Sequence, residues 1–275
     1  MASWLREHSP RTFEELSIPL NLRQALTSAS LSPNPPNLLI TGPAGVGKTA
    51  SWKLVARQML GPSWKSTTHI LQCRDLAKTS GAMAKFENFL RPGGTNSSDT
   101  LAGRMSLDAF DRGIMQAKTS DIPPAGREIE IGDGQIPVSR VIVLEDADHL
   151  GHIRQAYLRR MMETVGNASR FILVARAPSR IIDALRSRTQ MIRIPSTSKE
   201  QLVSTLNSIC DKEKVDKKEG VIGDIVYVCE GNLRKSIFTL EMLESRGLAS
   251  DRSAVHKLVP VSYTHLRAHE TLRYL

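Results

Sequence analysis

Short, unbroken apolar runs alternate in the N-terminal part of this chain with stretches in which apolar residues return every three or four positions. The first run, Leu38-Leu39-Ile40 within Asn37–Thr41, leads at once into a glycine-rich loop. Beyond the loop Trp52, Val55, Ala56, Met59 and Leu60 recur at helical spacing until Gly61-Pro62 stops them, which predicts strand, loop, helix. His69–Cys73 reads as a second strand. Val141–Leu144, an apolar run between polar neighbours, suits a strand buried on both faces. Phe171–Ala175 repeats that pattern, and Met191–Ile194 is a shorter candidate. Leu107, Phe110, Ile114 and Ala117 fit a helix between two polar stretches, 91–100 and 119–137, that read as exposed loops. Strands alternating with helices predict an α/β domain around a mostly parallel sheet, ending near Pro195.

The pattern then changes. Ser198 and Gln201 have the spacing of a capping box, and Leu202, Leu206 and Ile209 line one helical face behind it. Ile222, Ile225, Val226 and Cys229 predict a second helix reaching toward Gly231, and Leu233, Ile237, Leu240 and Leu243 a third before Gly247. The expected division is an α/β domain over 1–195, a small all-α unit over 196–250 and a linker with tail over 251–275.

Composition adds little to this plan. The chain has 275 residues, 40% apolar and 24% charged, which is ordinary for a globular protein with a sizeable core. No apolar run approaches the ~20 residues that cross a bilayer, and the start lacks the apolar centre of a signal peptide. The expectation is a cytoplasmic protein with no membrane partner. Cys73, Cys210 and Cys229 are scattered and fit neither disulfides nor a zinc site. The net charge of +9 favours a polyanionic partner such as nucleic acid, although a solvated basic surface explains it equally well.

The glycine-rich loop carries the chemistry. Gly42-Pro43-Ala44-Gly45-Val46-Gly47-Lys48-Thr49 is a complete phosphate-binding loop between a predicted strand and a predicted helix. Its backbone N–H groups converge on phosphate oxygens, and the helix that starts there adds unpaired N–H groups and its dipole. Lys48 is placed to reach the β- and γ-phosphates of ATP, and the Thr49 hydroxyl to ligate Mg²⁺. Such a loop needs an acidic partner at the end of a neighbouring strand, and Glu145-Asp146-Ala147-Asp148 follows Val141–Leu144 in that place. Carboxylates there call for a metal or basic neighbours.

These residues resemble the small subunits of replication factor C, the clamp-loader ATPases of the AAA+ superfamily, over about residues 4–250. The resemblance rests on the loop at 42–49, on Leu144-Glu145-Asp146-Ala147-Asp148, on Gln155 to Glu163, on Arg170-Phe171-Ile172-Leu173, on Ile181 to Arg188, and on Gly231-Asn232-Leu233-Arg234-Lys235. It implies an AAA+ P-loop domain followed by a helical lid, ATP and Mg²⁺ as ligands, and assembly with other clamp-loader subunits into a pentamer. It also implies loading of a sliding clamp onto primer–template DNA, in the cytoplasm, or the nucleus of a eukaryote. Arg188 matches an arginine finger acting on the neighbouring subunit's ATP, worth ~10³–10⁵ in rate in other systems. Arg234 matches a second-sensor arginine reaching the γ-phosphate. Glu145 and Asp146 match the metal-side and water-activating acids. Arg159, Arg160 and Glu163 match a segment linking subunit contacts to the site, and helical salt bridges explain them equally well.

The chain departs from the family where hydrolysis is concerned. The usual Asp-Glu order is reversed to Glu145-Asp146, and Arg176 stands where the first sensor is an asparagine. Glu7-His8-Ser9-Pro10 replaces Lys-Tyr-Arg-Pro, and Thr189 follows Arg188 in place of cysteine. A shorter Asp146 holds an attacking water out of place, and errors of ~1 Å cost ~10²-fold. The expectation is therefore a weak ATPase active within a complex. The alternatives are a non-hydrolysing subunit that donates Arg188, or another AAA+ DNA-associated ATPase. Residues 261–271 resemble a translated adaptor fragment; His265 and His269 have metal-like spacing, but the order is not His-Glu-x-x-His and no third ligand is evident, so no metal site is expected, and the family's collar domain is expected to be missing.

Overall fold

A computed structural model describes residues 3–90, 122–130, 137–164 and 168–255. Five strands, β1 (Leu38–Thr41), β2 (Thr68–Gln72), β3 (Arg140–Glu145), β4 (Ser169–Ala175) and β5 (Gln190–Arg193), form one sheet in the order β2-β3-β4-β1-β5. Every pairing is parallel, so the chain returns through helices between strands. The longer helices of the α/β part are α1 (Leu20–Leu31), α2 (Lys48–Leu60), α3 (Ala82–Leu90) and α4 (Gly151–Thr164).

Both faces of the central strands are buried, which is why their sequences are continuous rather than alternating. Alternate side chains feed two cores. Leu38, Ile40, Val143, Ile172 and Val174 join Trp52 and Val55 on one face, while Leu39, Ile142, Leu144, Phe171 and Leu173 join Phe86 and Leu158 on the other. β5 is the exception. Met191 is half exposed, as an edge strand allows, and Ile194 is buried just beyond the strand's end.

The second strand is displaced by one residue from His69–Cys73. Thr68 pairs with Val141 at its start, and Cys73 instead opens the helical turn Cys73–Leu76. The helix expected around Leu107–Ala117 and the loop 91–100 lie outside the described residues. Within 119–137, the described 122–130 form turns and coil.

After β5, α5 (Lys199–Glu213), α6 (Val221–Cys229) and α7 (Leu233–Ser245) enclose a separate core built on Leu202, Leu206, Ile225, Leu240 and Leu243. The Ser198–Gln201 capping box is present. The N-terminal turn Trp4–Glu7 belongs spatially to this helical unit. Trp4 and Leu5 pack on its core, Trp4 N–H donates to Glu241 Oε1 at 3.1 Å, and His8 Nε2 meets Glu213 Oε1 at 2.7 Å. The chain then crosses over, and Phe13, Leu16 and Ile18 enter the core of the sheet domain. Cys73, Cys210 and Cys229 are free and buried, and burial holds each thiol above its ordinary pKa, which makes them packing residues.

Candidate nucleotide-binding site

In a parallel sheet all strands end on the same edge. Thr41 pairs with Ala175 and Gln72 with Glu145 on that edge, so the loops leaving β1, β3 and β4 emerge side by side. Gly42–Thr49 leaves β1 there and runs into α2. Two of its glycines are required by close approach as well as by positive φ. A Cβ on Gly42 (φ 148°) would lie 2.1 Å from the carbonyl oxygen of Ile194, and one on Gly45 (φ 75°) 1.9 Å from Asn232 Oδ1. Val46 is buried beneath the loop, and Pro43, Ala44 and Gly47 complete it.

The start of α7 sits on this loop. Asn232 caps α7 by accepting from Lys235 N–H at 3.0 Å, and Arg234 N–H donates to the Gly45 carbonyl at 3.1 Å. The helical unit therefore touches the phosphate loop through backbone, and Arg234 arrives beside it. Lys48 folds back over the loop, where its ammonium donates to the carbonyls of Gly42 (2.8 Å) and Pro43. Its pKa is lowered to about 8, first by burial and then by the charges of Arg176 and Arg234. Three cations thus converge at the N-terminus of α2, an arrangement that attracts an anion of several charges.

The acidic strand end is built on opposite terms. Glu145, only 9% exposed, closes β3, and its carboxylate takes three hydrogen bonds. Oε1 accepts from Trp52 Nε1 (2.8 Å) and Thr49 Oγ1 (3.2 Å), and Oε2 from Gln72 Nε2 (2.8 Å). Asp146 adopts the left-handed conformation (φ 51°), uncommon outside glycine, and lies between two guanidinium groups. Arg74 Nε is 3.6 Å and Arg176 Nε 3.8 Å from its carboxylate. Arg176 N–H also reaches Asp148 Oδ1 at 3.5 Å. The basic neighbours that such carboxylates call for are therefore present. The Thr49 hydroxyl and Glu145 carboxylate are adjacent oxygen donors of the type Mg²⁺ takes, so the residues fit that ion.

Arg188 lies elsewhere. It precedes β5, whose first residue Gln190 pairs with Leu38 at the start of β1, so it stands at the sheet edge opposite the phosphate loop. Its guanidinium meets Glu163 Oε1 at 2.5 Å, and Arg159 approaches the same oxygen at 3.8 Å. The helical salt bridge is present, and Glu163 also ties its helix to the segment before β5. The structure brings together Lys48, Thr49, Glu145, Asp146, Arg176 and Arg234, and excludes Arg188 from that group.

Sequence reasoning missed Trp52, Gln72, Arg74 and Asn232 at this site. Trp52 read only as a core residue. Its place one helical turn beyond Thr49 could have signalled it. The cap preference of Asn before a helix could have found Asn232. Nothing in the sequence could pair Gln72 and Arg74 with residues some seventy positions away. Gln155, 2% exposed, was noted for resemblance alone. It donates to the Arg180 carbonyl (2.9 Å) and accepts from Ile182 N–H (2.8 Å), pinning the segment that leads to Arg188.

Fold and site define a P-loop ATPase-type domain with a helical lid. Residues 38–196, more than half of the chain, match the model of the ATPase family associated with various cellular activities (AAA), and the chain belongs to that family. Residues 204–244 match the RCF1/5-like AAA+ ATPase lid domain. Among curated relatives, it is 31% identical to the replication factor C small subunit of Methanococcus maripaludis, over 86% of this chain and 63% of that protein. It is 29% identical to replication factor C subunit 5 of Schizosaccharomyces pombe, over 88% and 65% respectively. The resemblance carried by the motifs is thereby upheld, and the chain spans just under two thirds of these relatives' length. Thermotoga maritima RuvB, described as a Holliday junction branch migration motor, shares the fold with a TM-score of 0.55 at 15% identity, over 92% of this chain and 72% of its own. No helix among the described residues is long and apolar enough to cross a membrane.

Proposed function

We propose that this chain is a nucleotide-binding clamp-loader subunit that, with partner subunits, helps place a sliding clamp on primer–template DNA. The observation that carries the reading is the convergence of Lys48, Arg176 and Arg234 on the phosphate loop, opposite the Thr49–Glu145 pair. Residues 1–195 would hold ATP, and the helical unit over 196–250 would act as its lid through Asn232 and Arg234. Thr49 and Glu145 would hold Mg²⁺, which when bound neutralises phosphate charge. Lys48 would exchange its two loop carbonyls for phosphate oxygens, and Arg234 would tie the lid to the γ-phosphate.

Hydrolysis is the weak element of this reading. Asp146 would have to orient the attacking water, yet its carboxylate lies between Arg74 and Arg176 and is one methylene shorter than the glutamate the family resemblance implies. The same observation favours a second reading, a subunit that holds ATP without turning it over and serves mainly by offering Arg188 to a neighbour. The position of Arg188 supports action in trans under either reading, because it faces away from its own phosphate loop.

The test is titration of ATP with Mg²⁺ into the whole chain, followed by anisotropy of labelled duplexes across a salt series. Expected are nucleotide binding by the chain alone and weak, sequence-independent, salt-sensitive DNA binding that tightens with ATP and partner subunits. Absence of nucleotide binding would remove the reading. Strong preference for one DNA sequence would redirect it to another AAA+ DNA-associated ATPase.

A further inference from the structure

Glu145 stands where the family resemblance implies an aspartate, so its carboxylate reaches one methylene further from β3. Unrestrained, that added length would let the oxygens swing away from the Thr49 hydroxyl. Instead the indole N–H of Trp52 donates to Glu145 Oε1 at 2.8 Å, in a bond buried from solvent, while Thr49 shares the same oxygen. Trp52 is itself 1% exposed and packs in the core beneath the sheet, so the donor is fixed by packing rather than by chance of rotamer.

The helix explains how this comes about. Trp52 follows Thr49 by three positions on α2, which puts both on one face. Long helical side chains lean toward the helix N-terminus, and that carries the indole back beneath the hydroxyl. Gln72 completes the clamp from β2 on the other carboxylate oxygen. With three of roughly four lone-pair directions occupied, the Glu145 carboxylate is held in one orientation, with Oε1 against the Thr49 hydroxyl.

We propose that Trp52 is a positioning residue that adapts this phosphate loop to the longer acid, setting the Mg²⁺ dependence of nucleotide binding. The proposal rests on the nucleotide-binding reading above. Donors that hydrogen-bond to a metal-ligating carboxylate in this way govern metal affinity by about 10- to 100-fold.

The experiment titrates Mg²⁺ at a fixed, sub-saturating concentration of a non-hydrolysable ATP analogue, on the full chain and on Trp52→Phe, Glu145→Asp and the double variant. Phenylalanine keeps most of the packing and removes only the N–H, and thermal melts monitor the fold. The expected result is that Trp52→Phe leaves binding without Mg²⁺ within about twofold while raising the half-saturating Mg²⁺ about tenfold. In the Glu145→Asp background, whose shorter acid withdraws from the indole, Trp52→Phe should add little. A purely structural tryptophan would lower the melting temperature and leave the Mg²⁺ dependence unchanged, which would overturn the proposal, as would full additivity of the two changes. If the wild-type chain binds no analogue with or without Mg²⁺, the nucleotide reading itself falls and takes this assignment with it. Binding that is retained but indifferent to Trp52→Phe defeats only the assignment.

Discussion

At the phosphate loop, Lys48 is held by two backbone carbonyls and pressed by the charges of Arg176 and Arg234. At the acidic strand end, two strands along the same sheet edge, Glu145 takes three hydrogen bonds and Asp146 lies between two arginines. In the first region cationic charge crowds Lys48, and an incoming polyphosphate relieves it. The second is already compensated, so little charge remains to activate water. Binding and hydrolysis therefore rest on separate halves of one site, and only the binding half is poised in the structure.

The largest expected effect lies in the binding half. Lys48→Ala should weaken ATP–Mg²⁺ binding by up to about 3 kcal/mol, or a hundredfold, because it deletes the cation buried in the loop. Calorimetric titration reads this, and equal affinity for wild type and variant would break the comparison at its strongest point.

The acidic half should respond next, and only to combined change. The isolated chain is expected to turn ATP over more slowly than about 1 s⁻¹. Asp146→Glu restores the longer acid but leaves both arginines on it, so turnover should rise little. Adding Arg176→Asn removes one of the two arginines and leaves only Arg74 on the carboxylate, and the pair should gain up to about a hundredfold over the wild type. Phosphate release on single and double variants decides it. Full recovery with Asp146→Glu alone would show that acid length, rather than ion pairing, limits the site.

Proton linkage sharpens the contrast further. The pKa of Lys48 is lowered to about 8 from 10.5, so between those values the unfolded chain binds a proton that the folded chain has lost. The nucleotide-free protein should consequently gain stability as pH rises through that window. ATP requires the charged lysine, so affinity should fall by up to about tenfold per pH unit above about 8, with proton uptake on binding. Titrations in buffers of different ionisation enthalpy from pH 7 to 10 would show both. Affinity independent of pH would mean the ammonium carries no part of the binding.

The smallest effect concerns the lid. Asn232→Ala removes the cap of α7 where that helix rests on Gly45, and should cost about 1 kcal/mol of stability in denaturant unfolding. An unchanged unfolding midpoint would show that the backbone bond from Arg234 to Gly45 suffices to hold the lid on the loop.

The local pieces were legible in the order of residues alone. Leu38-Leu39-Ile40 and Val141–Leu144 suit strands buried on both faces, because continuous apolar runs have no solvent side to offer and these are too short for buried helices. The loop at 42–49 announced its ligand class because phosphate binding depends on consecutive backbone N–H groups, a property of local spacing. Ser198, Gln201 and the periodic leucines behind them marked the helical unit for the same reason. The one-residue displacement of β2 shows the limit, since whether Cys73 extends a strand or starts a helix depends on what Glu145 pairs with, and its ladder partner is Gln72. Tertiary structure alone decided the acidic half. Parallel pairing set the ends of β2, β3 and β4 on one edge, and so joined Arg74, Asp146 and Arg176, which no spacing rule connects. It also sent Arg188 to the far edge of the sheet and placed Trp52 under Glu145. Short-range order fixes which residues can bind phosphate, while the charge each residue meets is set by neighbours that only the fold supplies.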